Sequence, residues 1–176
     1  MLTHTGTNGI SDDAVGLLLE CHGRIRAFVE LASRLAHVEG VSAGEIADRA
    51  RTVGRYFADA LPQHADDEEL SLLPRLAGRD RQVDAALVRM HHDHLGHAAV
   101  VARVAEVCGE LAASPARHAA LSPALGAAAA ALREHLERHL ALEEEIVFPA
   151  LRTLLAAGAR AEIVRELRSR WDHSSR

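Results

Sequence analysis

Apolar residues recur in alternating steps of three and four along four long stretches of the chain, about 12–38, 42–73, 80–113 and 122–157. This spacing keeps apolar side chains on one face of a helix, whereas a half-buried strand needs strict alternation. A fifth, shorter amphipathic stretch covers 159–171. Because the connectors are short and strand signals are lacking, the sequence predicts an all-α, antiparallel, up-and-down four-helix bundle with a short extra C-terminal helix.

Local signals set the expected ends and irregularities of these helices. Ser42 followed by Glu45 forms a capping-box pattern at the start of the second helix. Ser122 before Pro123 predicts the cap and first position of the fourth helix, although the connector 116–121 could itself be helical. Two internal prolines should kink or briefly break the second and fourth helices, because proline lacks a backbone donor and clashes with the preceding turn. They are Pro62 and Pro149.

The predicted domain organisation is one bundle over 11–157, preceded by a polar, glycine-rich tail over 1–10 and followed by the C-terminal helix and tail over 158–176. A total of 176 residues is an ordinary length for one domain with a full-sized core.

Composition narrows the expected partners and location. The net charge of −5 gives no electrostatic reason to expect nucleic-acid binding, and no apolar run is long enough for a membrane span. The N-terminus does not resemble a secretory signal, and the two cysteines, Cys21 and Cys108, lie far apart. A reduced, cytoplasmic location is therefore expected, without nucleic-acid or membrane partners. The oligomeric state stays open.

All four apolar stripes are interrupted partway along by histidine, and two of them also by glutamate one turn later. The interrupting residues are His22 on the first helix, His64 and Glu68 on the second, His94 and then His97 or Ala98 on the third, and His139 and Glu143 on the fourth. Burying such groups without partners costs several kcal/mol each, as an order of magnitude. Metal ligation explains them, because imidazole and carboxylate are ligands of first-row transition metals and the ion cancels the charge.

The two histidine–glutamate pairs belong to an internal repeat. His64-x-x-x-Glu68-Glu69-x-x-x-x-Pro74 recurs 75 residues later as His139-x-x-x-Glu143-Glu144-x-x-x-x-Pro149. Residues four apart share a helix face, so each pair converges on one region. The repeat indicates two helix pairs around a pseudo-twofold axis. Such an arrangement suits two metal ions, each with two histidines and both bridged by the two carboxylates.

Four segments of the chain resemble the hemerythrin-like HHE cation-binding domain family: LLLECHGRIR, LPQHADDEELSLLP, VRMHHDHLGH and LERHLALEEEIVFPAL. The resemblance spans roughly residues 12–155, and the doubled H-x-x-x-E-E…P motif is specific. It implies a hemerythrin-like bundle holding two non-haem iron ions, with an oxo or hydroxo bridge and an open position for a small ligand. The iron ligands that it implies are His22, His64, Glu68, His94, His139 and Glu143.

The third-helix ligand is the ambiguous member of this set, because four histidines compete for one role. They are His91, His92, His94 and His97. We choose His94 because it continues the stripe that contains Leu87 and Met90. His135, one turn before His139, is expected near the mouth of the site, and Glu69 and Glu144 are expected on the solvated surface.

The chain departs from the respiratory hemerythrins, which carry two histidines four residues apart on the third helix. Position 98 here is alanine and position 95 is leucine, and the last acid, Glu143, lies four rather than five residues after its histidine. These departures argue against reversible oxygen carriage. The balanced set of four histidines and two glutamates is more similar to the bacterial iron-centre repair and nitric-oxide-responsive branch, and to actinobacterial hemerythrin-like proteins.

The predicted function is a non-haem di-iron protein that binds or reacts with O2, NO or peroxide at an open iron position, in sensing, scavenging or iron handling. The alternative is an iron-responsive interaction module without redox turnover. Whether the protein is an enzyme, for example with a catalase-like or oxidase activity, stays open, because the sequence reveals no pocket for an organic substrate.

Overall fold

The computed structural model describes residues 13–174, and these form five helices and no strand. The helices are α1 (Ala14–His37), α2 (43–76), α3 (Arg81–Ala113), α4 (118–154) and α5 (Ala157–Ser174). Each of the first four packs against its two neighbours in a ring, α1 against α2 and α4, and α3 against α2 and α4. The predicted four-helix bundle with an extra C-terminal helix is confirmed. The predicted tail, 1–10, lies outside the described residues.

The helix ends lie within three residues of the predictions except at the start of α4. The capping box is present: the Glu45 backbone N–H donates to Ser42 Oγ (3.2 Å), and the Ser42 backbone N–H donates to the Glu45 carboxylate (3.1 Å). The predicted start of the fourth helix at Ser122 is wrong, because α4 begins at His118 after a 3₁₀ turn. Ser122 Oγ donates to the His118 carbonyl (2.8 Å) instead of capping, and Leu121 is buried in the core.

Three of the prolines inside α2 and α4 are accommodated by π-helical turns, which widen the helix without ending it. These turns are Tyr56–Ala60, Glu68–Leu72 and Glu143–Val147, and a proline lies two residues after the end of each, Pro62, Pro74 or Pro149. The residue before each proline donates its N–H five residues back; Leu73, for example, donates to the Glu68 carbonyl. The expected irregularity at the two internal prolines therefore takes the form of π turns, which are frequent at functional sites.

Two apolar clusters fill the bundle, one on each side of a polar middle layer. The first contains Phe57, Leu132 and other residues of α1 to α4, and the second contains Leu17, Phe148 and residues of α5. Water is therefore excluded from both ends of the middle layer, where electrostatic interactions are strengthened by the low local dielectric.

Helix α5 packs against α1 and the second half of α2. Its residues Ile163, Val164 and Leu167 are buried in the second apolar cluster. The domain boundary expected at 157/158 stays a prediction. None of the helices in the described part of the chain combines the length and hydropathy needed to cross a membrane.

Candidate metal centre

All six side chains that the sequence singled out meet in the middle layer of the bundle. Helix α1 supplies one, α2 two, α3 one and α4 two: His22, His64, Glu68, His94, His139 and Glu143. Five of them are buried, and the His94 side chain is 11% exposed. Interruptions of four separate apolar stripes thus become one polar cluster.

The cluster consists of two sets of four residues, and both glutamates belong to both sets. His22 and His64 complete the first set, and His94 and His139 complete the second. In each set the potential ligand atoms all lie within 4.8 Å of one another. The spacing suits two cations, one for each histidine pair.

Each carboxylate directs one oxygen toward each histidine pair. Glu68 Oε1 lies 3.4 Å from His64 Nε2, and its Oε2 lies 3.1 Å from His94 Nε2. Glu143 Oε2 lies 3.1 Å from His22 Nε2, and its Oε1 lies 3.0 Å from His139 Nε2. This division of oxygens is the arrangement that two bridging carboxylates require.

Several of these buried polar atoms have no hydrogen-bond partner within residues 13–174. They are His22 Nε2, both ring nitrogens of His64, Glu68 Oε1, His139 Nδ1 and both oxygens of Glu143. An unsatisfied buried polar group costs about 1–3 kcal/mol, and more when it is charged. A cation placed among these atoms would remove most of that cost.

The charges in the cluster depend on one another. Burial alone would lower the pKa of His22 and His94, but nearby carboxylates outweigh it, raising the pKa of His22 and bringing that of His94 to about 9. Burial would raise the pKa of Glu143, but His139 and His22 outweigh it and lower it. Burial lowers the pKa of His64 to about 4, so that imidazole is neutral and offers a lone pair at neutral pH.

Two further glutamates orient histidines from outside the cluster. His94 Nδ1 donates to Glu69 Oε1 (2.8 Å), and His22 Nδ1 donates to Glu144 Oε1 (2.7 Å). Their expected place on the solvated surface is wrong, because their side chains are only 23% and 29% exposed. One residue beyond a cluster glutamate, each is turned about 100° around its helix toward the histidine of a neighbouring helix. The sequence feature that could have predicted this role is the second glutamate, which directly follows the cluster glutamate in both repeats.

Among the four competing histidines of α3, the structure brings His94 into the cluster. His91 and His92 are exposed, and His91 Nδ1 donates to Glu69 (2.9 Å). His97 is buried, with its ring centroid 4.8 Å from that of His139, but it belongs to neither set of four. His135 is half-buried, with its ring centroid 5.8 Å from that of His97.

A cavity of about 250 Å³ leads from the surface to the cluster. His64, His94 and His139 line its inner part. The remainder is mostly apolar, chiefly Leu61, Ala98, Val101, Leu136 and Leu140, together with the polar residues Asp66 and His97. The cavity therefore gives small, weakly polar molecules a path to the side of the cluster where α2, α3 and α4 meet.

Comparison with known proteins agrees with this geometry. The family model described as the hemerythrin HHE cation-binding domain matches residues 13–151 and, in a second overlapping match, residues 97–173. No curated protein matches the chain. Since the first match covers the whole of the bundle helices up to Leu151, including every residue of the cluster, the chain belongs to the hemerythrin HHE cation-binding domain family.

Proposed function

We propose that the protein holds two non-haem iron ions in this cluster, one between His22 and His64 and one between His94 and His139. Glu68 and Glu143 bridge them. The observation that carries the proposal is the division of each carboxylate's oxygens between the two histidine pairs, at 3.0–3.4 Å from the nearest Nε2.

The residues fit this cofactor in number, type and charge. Four imidazoles and two carboxylates are ligands that first-row divalent metals accept, and family membership favours iron among them. Of the unpartnered buried atoms identified above, His22 Nε2, His64 Nε2, Glu68 Oε1 and both oxygens of Glu143 would become ligand atoms. When bound, the iron pair, bridged by an oxo or hydroxo ion, supplies redox chemistry and an open position for O2, NO or peroxide.

The surrounding residues orient the ligands and control access. Glu69 and Glu144 hold the Nδ1 atoms of His94 and His22, which directs the Nε2 atoms of both rings inward. The apolar cavity admits small molecules and disfavours charged or strongly hydrated ones, because its walls offer few hydrogen-bond partners. The proposal includes a cytoplasmic role in sensing, scavenging or iron handling, which is compatible with this combination.

Iron quantitation after anaerobic reconstitution tests the proposal. We expect two irons per chain and an oxo-to-iron absorption band after exposure to air. The variant His64→Ala should hold less iron, whereas His92→Ala, which removes an exposed histidine outside the cluster, should match the wild type. Fewer than two irons per wild-type chain would contradict the proposal.

A second candidate is an iron-responsive interaction module without redox turnover. The supporting observation is the set of unpartnered buried atoms, which should loosen the bundle when no ion is bound. Thermal unfolding with and without iron separates the two: a metal-free form with an unchanged melting temperature removes the second candidate. Peroxide consumption by the iron-loaded protein above a free-iron control would add an enzymatic role.

A further inference from the structure

The internal repeat breaks down on one face of α2, and this is the face that contacts α5. Asp67, Ser71 and Arg75 lie four residues apart in the first repeat, and the residues 75 positions later are Leu142, Ile146 and Ala150. Residues four apart share a helix face. The first repeat therefore has a polar face where the second has an apolar one, although the His-x-x-x-Glu-Glu and proline positions are the same in both.

The polar face of α2 is fully engaged by α5. Asp67 is 0% exposed and accepts from Arg170 Nε (2.5 Å) and Trp171 Nε1 (2.7 Å). Ser71 accepts from Arg170 (2.6 Å) and donates to Glu166 (2.6 Å).

The Glu166 carboxylate also accepts hydrogen bonds from both terminal nitrogens of Arg75, at 2.6 and 3.1 Å. The hydrogen bond from Arg170 to the buried Asp67 carboxylate is charge-assisted, and such bonds are shorter and stronger than neutral ones, so it fixes the position of Asp67. Asp67 immediately precedes Glu68.

Trp171 also links α5 to the part of α1 that lies beside His22. The Arg24 guanidinium carbon lies 5.5 Å from the centroid of the Trp171 ring, a cation–π distance. Arg24 in turn donates to Cys21 Sγ (3.1 Å), and Cys21 precedes His22. Helix α5 thus contacts Asp67, next to Glu68, directly, and reaches Cys21, next to His22, through Arg24.

We propose that α5 is a positioning element for the ion between His22 and His64, with Asp67, Arg170 and Trp171 as the positioning residues. This rests on the proposed function. Two of the helices that surround the cluster, α1 and α2, supply His22, His64 and Glu68, and both are tied to α5 by the contacts above. His94 and His139 lie on α3 and α4, where the repeat has apolar residues in place of the polar face. The ion between those two histidines shares only Glu68 and Glu143 with the first.

Chelation of the reconstituted two-iron protein tests this. In Arg170→Gln, the iron between His22 and His64 should leave about 10–100 times faster than in the wild type, the usual size of effect for residues that orient metal ligands. The other iron, which shares only Glu68 and Glu143 with it, should be accelerated less. Trp171→Phe keeps the ring near Arg24 but loses the Nε1 donor, and should show the same selectivity with a smaller change. Mössbauer spectra of ⁵⁷Fe protein should lose the same doublet in Arg170→Gln as in His64→Ala.

The matched control is Arg160→Gln, which removes another α5 arginine whose hydrogen bonds go to the carbonyls of Leu155 and Arg152. It should leave both release rates unchanged, and far-ultraviolet circular dichroism should show the same helix content in all variants. Equal acceleration of both irons, no acceleration, or selective loss in Arg160→Gln would overturn the role of α5. A wild-type chain that binds no iron pair would instead overturn the proposed function, and this inference with it.

Discussion

The two halves of the bundle, α1 with α2 and α3 with α4, repeat the same ligand arrangement in different surroundings. Each half has a histidine on its first helix and, on its second, a histidine–glutamate pair whose glutamate begins a π turn. In one half His22 is fully buried, and in the other His94 lies beside the apolar cavity. The comparison teaches that ligand geometry can be duplicated while the burial of the first-helix histidine differs, although His64 of the first half also lines that cavity.

The partners of Glu69 and Glu144, the two outer glutamates that hold ligand histidines from outside the cluster, also differ between the halves. Glu144 is shared by His22 and Arg26, whose guanidinium donates to it (2.8 Å). Glu69 is shared by His94 and the exposed His91. A permanent positive charge thus stands beside one half, and an exposed imidazole stands beside the other.

The largest expected effect is on the carboxylates that the two halves share. Glu143→Gln should abolish binding of both irons, because Glu143 approaches one histidine of each pair at 3.0–3.1 Å. Iron per chain is the measurement, and Glu145→Gln, at an exposed neighbouring position, is the control. Retention of one tightly bound iron in Glu143→Gln would mean that the halves bind metal independently.

The next effect tests whether the outer glutamates are equivalent. Glu69→Gln and Glu144→Gln should each weaken iron binding by about 10–100-fold, since each removes the charged acceptor of a ligand histidine's Nδ1. Chelator competition measures both. A loss in only one of the two variants would break the symmetry between the halves.

A third prediction concerns the cavity beside His94 and His139. Ala98→Phe should slow binding of NO to the iron-loaded protein by about tenfold, a barrier increase of about 1.4 kcal/mol, because the larger side chain narrows the passage to His94 and His139. Stopped-flow absorption measures the rate, and the iron content should not change. Ala102→Phe, at an exposed position one turn further along α3, is the control. An equal rate in Ala98→Phe and the wild type would mean that ligands enter elsewhere.

The smallest effect is on stability at the face that distinguishes the two repeats. Ser71→Ala should lower the free energy of unfolding of the metal-free protein by about 1 kcal/mol, because it removes the hydroxyl that bonds Arg170 and Glu166. Ser122→Ala, whose hydroxyl donates to the carbonyl four residues back, should change it less. Denaturant unfolding measures both; a neutral Ser71→Ala would show that the polar face adds nothing to stability.

Helical periodicity explains why the ligand cluster was foreseeable. Steps of three and four put His64 with Glu68, and His139 with Glu143, on the faces that meet inside a bundle. The 75-residue offset then suggested two equivalent halves. The spacing of ligands within one helix depends only on neighbouring residues, so it can be read directly from the sequence.

Other features depend on which distant segments meet, and a single sequence does not reveal that. Trp171 reaches Asp67 across 104 positions, and His22 reaches Glu144 across 122. Nor did local signals show that Ser122 would turn its hydroxyl back along α4, since the same residue type before a proline is an equally good cap.

The π turns that begin at Glu68 and Glu143 change the direction in which side chains face along α2 and α4. The ligands and the end of each helix are therefore oriented separately. In an α-helix each residue advances about 100°, so a turn with one additional residue resets the direction of everything beyond it. Each histidine–glutamate pair lies at or before the first residue of its turn, and the proline and the second-cluster residues Leu76 and Leu151 lie after it. Shortening either turn by one residue would keep the pair intact yet swing the rest of that helix away from its neighbours.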